Sequence, residues 1–523
     1  MTNSGSRRLW GGSPSPPVTI PDLSWPAYLE AHLEHHLDRT ALVEPLGGRR
    51  MSYRSLRDEV CSIDAALRTR GYRKGDVIAI YAGNSIEFVL AFQAILRMGG
   101  VVTTINPMNL ADELERQMRH AGACCLFTMR ALLENARPAA ESCGLREVFV
   151  FDATDGDEAF ARLRATPDDT PPAAVEPARD LAVLPYSSGT TGPSKGVMLT
   201  HRNLVAHNVL VLGAQHASVP AADDRMLLVL PLFHIFAMTV IMNLGLSRGA
   251  MLVILPRFEP ESFLETLQEH RITRCYLVPP IINFLAKHPL VSQYDLSSLG
   301  YILSGAAPLG VDLARAAGRR VGCTLVQGYG LTETSPATHI FPEFAGRDDP
   351  GSIGVLLPNT EARIVDLDNG SDVATGERGE LLVRGPQVML GYLDNPEATA
   401  RAIDDGWFHT GDVATADPEG YFHIVDRAKE LIKYKGYQVA PAELEALLVT
   451  HPKVADCAVV PMPDNECGEL PKAFIVAREE LGADELMAWV AERVAPYRRI
   501  RRVEFIDAIP KSPSGKILRR LLR

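Results

Sequence analysis

The sequence has no Cys-x-x-Cys pair among its eight cysteines, Cys61, Cys124, Cys125, Cys143, Cys275, Cys323, Cys457 and Cys467. Adjacent Cys124 and Cys125 cannot easily share a zinc ion, so no cysteine-based metal site is expected. The cysteines read instead as buried thiols of a reducing compartment, the cytoplasm. Long apolar runs are missing too. The longest stretch, Ile235 to Pro256, contains Asn243, Arg248 and two glycines, so it reads as a core helix and strand, and no membrane span is expected. Positive charge is not in excess: a net charge of −11 argues against a dedicated nucleic-acid binder. Arg7-Arg8 leads into no apolar region and predicts no signal peptide. The final Leu521-Leu522-Arg523 is not a peroxisomal Ser-Lys-Leu signal. No internal repeat is present, and no Gly-Lys-Ser/Thr opens a helix, which excludes a Walker loop.

At 523 residues the chain is too long for one compact core, and two or more domains are expected. A hydrophobic content of 46% with 22% charged residues fits an ordinary globular fold. Residues 1–22 are polar and rich in Pro and Gly, and read as a disordered tail. From Asp76 strand and helix alternate: Val77 to Tyr81, a helix from Ile86 to Met98 entered through Asn84-Ser85 and stopped by Gly99-Gly100, then Val101 to Ile105. After a surface connection over 152–180 the alternation resumes, with strands Met226 to Leu230, Ala250 to Leu255, Cys275 to Val278, Tyr301 to Ser304 and Leu325 to Gln327. From Gly351 short strands between Asp/Gly/Asn turns predict a β-rich subdomain. The expectation is an α/β protein. A large N-terminal domain, residues 23–426, holds layered α/β subdomains plus the β-rich one, and a small mobile α+β domain, residues 427–523, is hinged near 426–429.

One stretch dominates the chemistry: Tyr186-Ser187-Ser188-Gly189-Thr190-Thr191-Gly192-Pro193-Ser194-Lys195-Gly196. It carries five Ser/Thr hydroxyls, three glycines and one lysine between two short apolar runs. Glycines let backbone N–H groups approach an anion, hydroxyls add donors, and Lys195 adds a full positive charge. Further on, Gln327-Gly328-Tyr329-Gly330-Leu331-Thr332-Glu333-Thr334 follows a strand. A tyrosine between glycines can lie flat against an adenine, Thr332 can donate to a phosphate oxygen, and Glu333 is a hard oxygen ligand suited to Mg2+. Ser304-Gly305-Ala306-Ala307-Pro308-Leu309 offers a small-residue surface for a flat base, or is simply a strand-to-helix turn with Pro308 at the helix start. His409-Thr410-Gly411-Asp412 reads as a polar turn whose carboxylate can accept both ribose hydroxyls. Lys429, Lys433 and Lys435 cluster, and Lys516 lies far along the chain on a loop stiffened by Pro510, Pro513 and Gly515. Such a lysine can be pre-placed where negative charge gathers.

The order of these motifs resembles the adenylate-forming enzymes: acyl-CoA synthetases, luciferases and adenylation domains. The resemblance runs from about Asp38 to the end and is nearest to the 4-coumarate–CoA ligase group. It is carried by Pro231-Leu232-Phe233-His234-Ile235, Leu303 to Leu309, Gln327 to Gly330, Glu430 to Gly436, Val439 to Ala446 and Pro513 to Lys516. It implies ATP, Mg2+ and coenzyme A, a small carboxylic acid as substrate, and two half-reactions separated by rotation of the small domain. By resemblance, Lys516, Lys433, Gln438 and His234 are catalytic. Ser187, Ser188, Gly189, Thr190, Thr191, Lys195, Gly305, Ala306, Ala307, Gln327, Gly328, Tyr329, Thr332, Asp412, Arg427 and Lys429 hold ATP and AMP. Glu333 holds the metal, and Arg257, Lys435 and Gly436 hold CoA. The acyl pocket is His234, Phe236, Leu303, Ala306, Gly328, Gly330, Ser335 and Pro336.

The pocket departs from the hydroxycinnamate ligases. Phe236 stands where they have a tyrosine, Leu303 where they have a lysine, and Ser335 where they have a glycine. The first two changes remove polar groups that would read a ring hydroxyl, which points to a less hydroxylated hydrophobic acid. Two alternatives stay open. One is an adenylating enzyme that loads an acyl carrier protein. The other is a luciferase-like oxygenase, although the His-His-Gly-Phe of luciferases is missing at Phe233-His234-Ile235-Phe236.

Overall fold

The computed structural model describes residues 13–156, 158–164, 170–187, 194–214, 224–342, 346–435, 437–464, 466–512 and 515–522. Among these residues the chain forms four sheets. The first is a mixed sheet in which Thr40–Glu44, Met251–Ile254, Arg225–Leu228, Arg274–Leu277, Tyr301–Ser304 and Thr324–Gly330 run parallel in that spatial order. The second has a parallel centre of Val77–Tyr81, Val101–Ile105, Ala123–Thr128 and Glu147–Val150. Helices pack between and around the two sheets, so their strands are buried on both faces and read as continuous apolar runs.

Ile86–Met98 shows how sequence sets this packing. Every residue of the helix is buried, Ser85 caps it by accepting from Phe88 N at 3.1 Å, and Gly99 ends it at φ +83°. Such a cap stabilises a helix by ~1 kcal/mol. Before it the chain adds elements that the alternation from Asp76 does not signal: helices Trp25–Leu33 and Tyr53–Thr69 and a hairpin, Thr40–Glu44 with Arg49–Ser52. The stretch expected to be a disordered tail is anchored at Val18, whose backbone exchanges hydrogen bonds of 3.1 and 2.7 Å with the Asn359 side chain; residues 1–12 lie outside the described residues.

An antiparallel sheet of Glu361–Val365, Gly379–Arg384, Trp407–Ala416, Ile403–Asp404 and Phe422–Arg427 forms the β-rich layer. The last sheet, built on Val454–Asp464 and Gly468–Ala477, carries helices Pro441–Leu448 and Ala483–Ala491. It has its own core of Ile432, Leu444, Leu448, Val459, Ile475 and Leu486. The structure is therefore mixed α/β with a small C-terminal domain. That domain meets the rest through a cluster of Val413, Val425, Leu431 and Ala440, an Arg378–Glu443 ion pair at 2.8 Å, and a bond from Lys287 Nζ to Val449 O at 3.0 Å.

Candidate active site

The parallel strands of the first sheet aim their carboxyl ends at one cleft, the usual place for a ligand in an open α/β sheet. Arg225–Leu228 leads to His234, Arg274–Leu277 to Pro280, and Tyr301–Ser304 to Gly305, while Thr324–Gly330 carries Gln327, Gly328, Tyr329 and Gly330. The last run differs from expectation. Gly328-Tyr329-Gly330 is not a loop after the strand but its end, paired antiparallel with Ala337–Ile340. Glycine is required at 330, because a Cβ there would lie 1.9 Å from Pro336 O; at 328 it would press on a Leu303 methyl at 3.3 Å. Gln327 faces inward as a brace: its amide donates to Leu309 O at 3.2 Å and to Pro350 O at 2.6 Å, and accepts from Leu309 N at 3.2 Å. It thereby fixes the loop bearing Gly305, Ala306 and Ala307. Pro308 does not start a helix; the next helix begins at Val311.

Asp412 also departs from expectation, since His409-Thr410-Gly411-Asp412 is not a turn but a bulge inside Trp407–Ala416. Gly411 takes φ +70°, and the bulge is held by Thr410 Oγ1 to Leu381 O at 2.7 Å and Gly411 N to Glu380 Oε1 at 3.1 Å. A bulge re-aims one side chain without breaking the sheet. The buried Asp412 carboxylate then takes Arg427 Nε at 2.7 Å and the Tyr329 hydroxyl at 2.5 Å on separate oxygens. Burial raises the Asp412 carboxyl above its ordinary range against the pull of Arg427 and Tyr329. Burial, reinforced by Asp412, holds the Tyr329 phenol well above its own range.

Lys516 enters this cleft from the C-terminal domain. The neighbouring Gly515 lies against the first sheet's loop, where a Cβ would meet Pro280 Cδ at 3.2 Å and Val278 Cβ at 3.5 Å. The residue as a whole is exposed, yet protein packs densely around its charged end. Its pKa is lowered by that crowding and by Arg427, and pulled back by Asp412, Glu333 and Glu430. Burial and the Lys516 charge push His234 down to about 3, so its imidazole is neutral at physiological pH.

The phosphate-loop candidate is a hairpin: Tyr186–Ser187 pairs with Lys195–Thr200. Ser188, Gly189, Thr190 and Thr191 lie outside the described residues, as does Gly436. Ser187 Oγ donates to Glu333 Oε1 at 2.8 Å, and Tyr392 OH donates to the same oxygen at 2.9 Å. Lys195 Nζ rests 4.3 Å from the centre of the Tyr392 ring. Tyr392 thus ties the lysine to the carboxylate. Thr332 opens the short turn that carries Glu333. Mg2+ on a nucleotide takes oxygen ligands mainly from phosphate and water. One buried carboxylate fits that share, and no group of three or more His, Cys, Asp or Glu able to hold a metal exists among the described residues.

The acyl-pocket candidates only partly converge. A Cβ on Gly305 would lie 3.0 Å from the Phe236 ring, and one on Gly328 3.3 Å from a Leu303 methyl, so Phe236 and Leu303 press on the two glycines. Phe236 opens a π-helix, Phe236–Asn243, and meets Tyr276 edge-on with ring centres 6.5 Å apart. Ser335 does not join them as a polar reader: its buried hydroxyl donates to Gln387 O at 2.8 Å. The CoA candidates stand apart. Arg257 is exposed and paired with Glu259 at 2.8 Å. Lys433, Lys435 and Gln438 are exposed on the hairpin of Ile432–Tyr434 and Tyr437–Val439, with Lys435 paired to Glu466 at 3.0 Å.

Two contributors escape sequence reasoning as site residues. Tyr392 carries no signal beyond its place after a glycine. Asn84, read only as a helix cap, donates to Leu230 O at 3.0 Å and Leu255 O at 3.1 Å and accepts from Leu232 N at 2.8 Å, fixing the backbone that leads to His234.

Asp426, on the last strand before Lys429, accepts from Ala442 N at 2.8 Å. Burial pushes its carboxyl up to about 7, with Glu445 adding and Arg519 opposing. A carboxyl raised above its unfolded value of about 3.9 contributes stability below that pH and loses it as pH rises through the folded value. Asp426→Asn keeps an oxygen for Ala442 N. Its melting temperature relative to wild type is expected to rise between about pH 4 and pH 7 and then level, reflecting ~1–3 kcal/mol. A pH-independent difference in thermal melts contradicts this.

Residues 29–393 match the family model described as AMP-binding enzyme, and residues 443–516 match the one described as AMP-binding enzyme C-terminal domain. The chain is 41% identical over 522 residues to 4-coumarate–CoA ligase 5 of Oryza sativa subsp. japonica, covering 96% of each chain. It is 40% identical over 517 residues to a 4-coumarate–CoA ligase of Pinus taeda, again covering 96% of each. Among solved structures it resembles the anthranilate CoA ligase AuaEII in complex with anthranoyl-AMP, with a TM-score of 0.88, 28% identity and 97% of each chain covered. It also resembles ATP-bound MatB from Rhodopseudomonas palustris, with a TM-score of 0.87, 28% identity, and 96% of this chain and 98% of that one covered.

Proposed function

The chain belongs to the AMP-binding enzyme family, and from that membership we propose how its residues divide the work of an AMP-forming acid–thiol ligase. The protein uses ATP and Mg2+ to convert a hydrophobic carboxylic acid to an acyl-adenylate, then passes the acyl group to the thiol of coenzyme A. The observation that carries the division is the position of Lys516, brought from the C-terminal domain to within electrostatic reach of Asp412, Arg427, Glu333 and His234.

In the first half-reaction a carboxylate oxygen attacks the α-phosphorus and pyrophosphate leaves. Lys516 neutralises the charge that gathers between the two anions, worth most in a pre-organised site. Asp412, oriented by Arg427 and Tyr329, accepts the ribose hydroxyls, and Gly305 to Ala307 support the adenine. Ser187 to Thr191, Lys195 and Thr332 hold the phosphates, and Glu333 would supply one oxygen to Mg2+ bound with the nucleotide. His234 stays neutral, so it closes the acid site without adding charge. In the second half-reaction the CoA thiol attacks the acyl carbon and AMP leaves. Rotation about Lys429 withdraws Lys516 and brings in Lys433, Lys435, Gly436 and Gln438, with Arg257 receiving CoA. No helix among the described residues is long and apolar enough to cross a membrane, and the free cysteines suit a reducing cytoplasm. The test is a panel of carboxylic acids assayed for AMP release with and without CoA. Thioester with CoA supports the ligase, whereas transfer only to a pantetheinylated carrier protein moves the acceptor.

The acid follows from Phe236 and Leu303. A phenol hydroxyl moved from water to an apolar wall without a partner costs ~1–3 kcal/mol. Ser335 is fully buried and has given its one proton to Gln387 O, so it has no donor left for the ring hydroxyl. Cinnamate is therefore expected to exceed 4-coumarate in kcat/KM by roughly 5- to 100-fold, and Phe236→Tyr to narrow the gap. A wild-type preference for 4-coumarate in steady-state kinetics contradicts this pocket and leaves the ligase assignment standing.

A further inference from the structure

The loop that delivers Lys516 is short, and the bonds that close it are local. Ser512 N donates to Lys516 O at 2.8 Å, Lys516 N to Ser512 Oγ at 3.1 Å, and Leu518 N to Pro510 O at 2.8 Å. These bonds shape the loop; its direction is set by Gly515 against Pro280 and Val278 and by the anchors at its two ends. Its entry is held by Lys511 Nζ on Asp456 at 2.5 Å, an ion pair open to water that adds little.

Its exit is held differently. Arg519, three residues beyond Lys516, has a side chain only 12% exposed. Its guanidinium meets Glu445 through two bonds of 2.8 Å from Nη2, donates from Nε to Val459 O at 3.1 Å, and contacts Glu430 through Nη1. Glu445 lies on helix Pro441–Leu448 and Val459 on strand Val454–Asp464, whereas Glu430 directly follows Lys429. One planar fork therefore ties the end of the lysine loop to a helix, a strand and the segment beside the hinge. Glu430 is also one of the carboxylates acting on the Lys516 ammonium. A guanidinium spreads its donors in fixed directions and a lysine does not, so the fork sets geometry as well as charge.

We propose that Arg519 is the positioning residue for Lys516, fixing the ammonium in the adenylation site and coupling its withdrawal to rotation at Lys429. Arg519 touches no substrate. It acts through the direction of the loop and through the place it gives Glu430. The inference rests on the reading of Lys516 as the adenylation lysine.

The test uses the full-length enzyme with Arg519→Gln, Arg519→Lys, Lys516→Ala and the double variant Lys516→Ala/Arg519→Gln. Pyrophosphate exchange, thioester formation from supplied acyl-adenylate, and melting temperature are read for each. Misplacement of a reacting group by about 1 Å costs up to about 10²-fold. Arg519→Gln is expected to lower pyrophosphate exchange by roughly 10- to 100-fold while thioester formation from acyl-adenylate stays near wild type. Arg519→Lys, which keeps the charge and the fold but loses the fork, is expected to fall between. In the Lys516→Ala background Arg519→Gln is expected to remove no further adenylation activity, because a residue acting only through Lys516 has nothing left to act on. Equal losses in both half-reactions, or additive losses in the double variant, overturn the proposal and make Arg519 a structural ion pair. Should Arg519→Gln fail to fold, Arg519→Lys decides by the same split. Full adenylation by Lys516→Ala alone would overturn the reading of Lys516 instead.

Discussion

Lys516→Ala is expected to lower acyl-adenylate formation by about 10²–10³, the range for losing one pre-organised donor, and to leave thioester formation from supplied acyl-adenylate largely intact. The asymmetry follows from where the charge gathers. As carboxylate oxygen and α-phosphorus approach, two anions are brought together beside the Asp412 and Glu333 carboxyl groups. Lys195 and Mg2+ serve the phosphates; of the two cations acting on Asp412, Lys516 and Arg427, Arg427 is committed to Asp412 at 2.7 Å. Removing Lys516 therefore leaves the forming bond without a dedicated cation. In the thiol's attack the S–H proton is lost, the C–S bond forms and the C–O bond to AMP breaks, so charge gathers on the departing phosphate after the proposed rotation has already withdrawn Lys516. Pyrophosphate exchange and thioester yield, measured separately, check this; equal loss in both refutes the role.

Lys429→Pro is expected to lose thioester synthesis far more than pyrophosphate exchange, from which it removes only the side-chain contact that the resemblance gives Lys429 to the nucleotide. Lys429 is exposed and sits between two anchored neighbours. Ala428 N donates to Gly411 O at 2.9 Å on the large-domain side, and Glu430 is held by Arg519 on the other. Any rotation that separates these anchors has to pass through the Lys429 dihedrals. Proline fixes φ near −65° and removes the N–H, so the chain stays in the arrangement with Lys516 in the cleft and the Lys433–Gln438 hairpin exposed. The expected loss is large because the hairpin can no longer reach the adenylate. Unimpaired CoA-thioester yield in this variant argues against alternation about this residue.

The strands and their ends were legible where the apolar run is short and bounded by Gly, Pro or a cap, as at Val77–Tyr81 and Tyr301–Ser304. Motif chemistry was legible because glycine, hydroxyl and lysine cluster within a few residues. Partnerships across the sequence were not. Asn84 reaches backbone 146 positions away, and Tyr392 meets Glu333 59 positions away, with nothing local to mark either. Gly328-Tyr329-Gly330 and Gly411 read as loops because glycine usually signals a break. In the fold they sit in strands, where glycine answers a close backbone approach or a bulge instead. Ser335 read as a pocket group by position alone, and in the fold it is fully buried with its one proton given to Gln387 O.

The most direct test of the central claim is a single-turnover experiment on the wild-type enzyme with ATP, Mg2+ and cinnamate, with CoA withheld and then added. The account predicts that acyl-adenylate and pyrophosphate form without CoA while AMP is retained as the enzyme-bound adenylate. On adding CoA, AMP and cinnamoyl-CoA should then appear in equal amounts. AMP released at the same rate with and without CoA, or released without thioester, would contradict it.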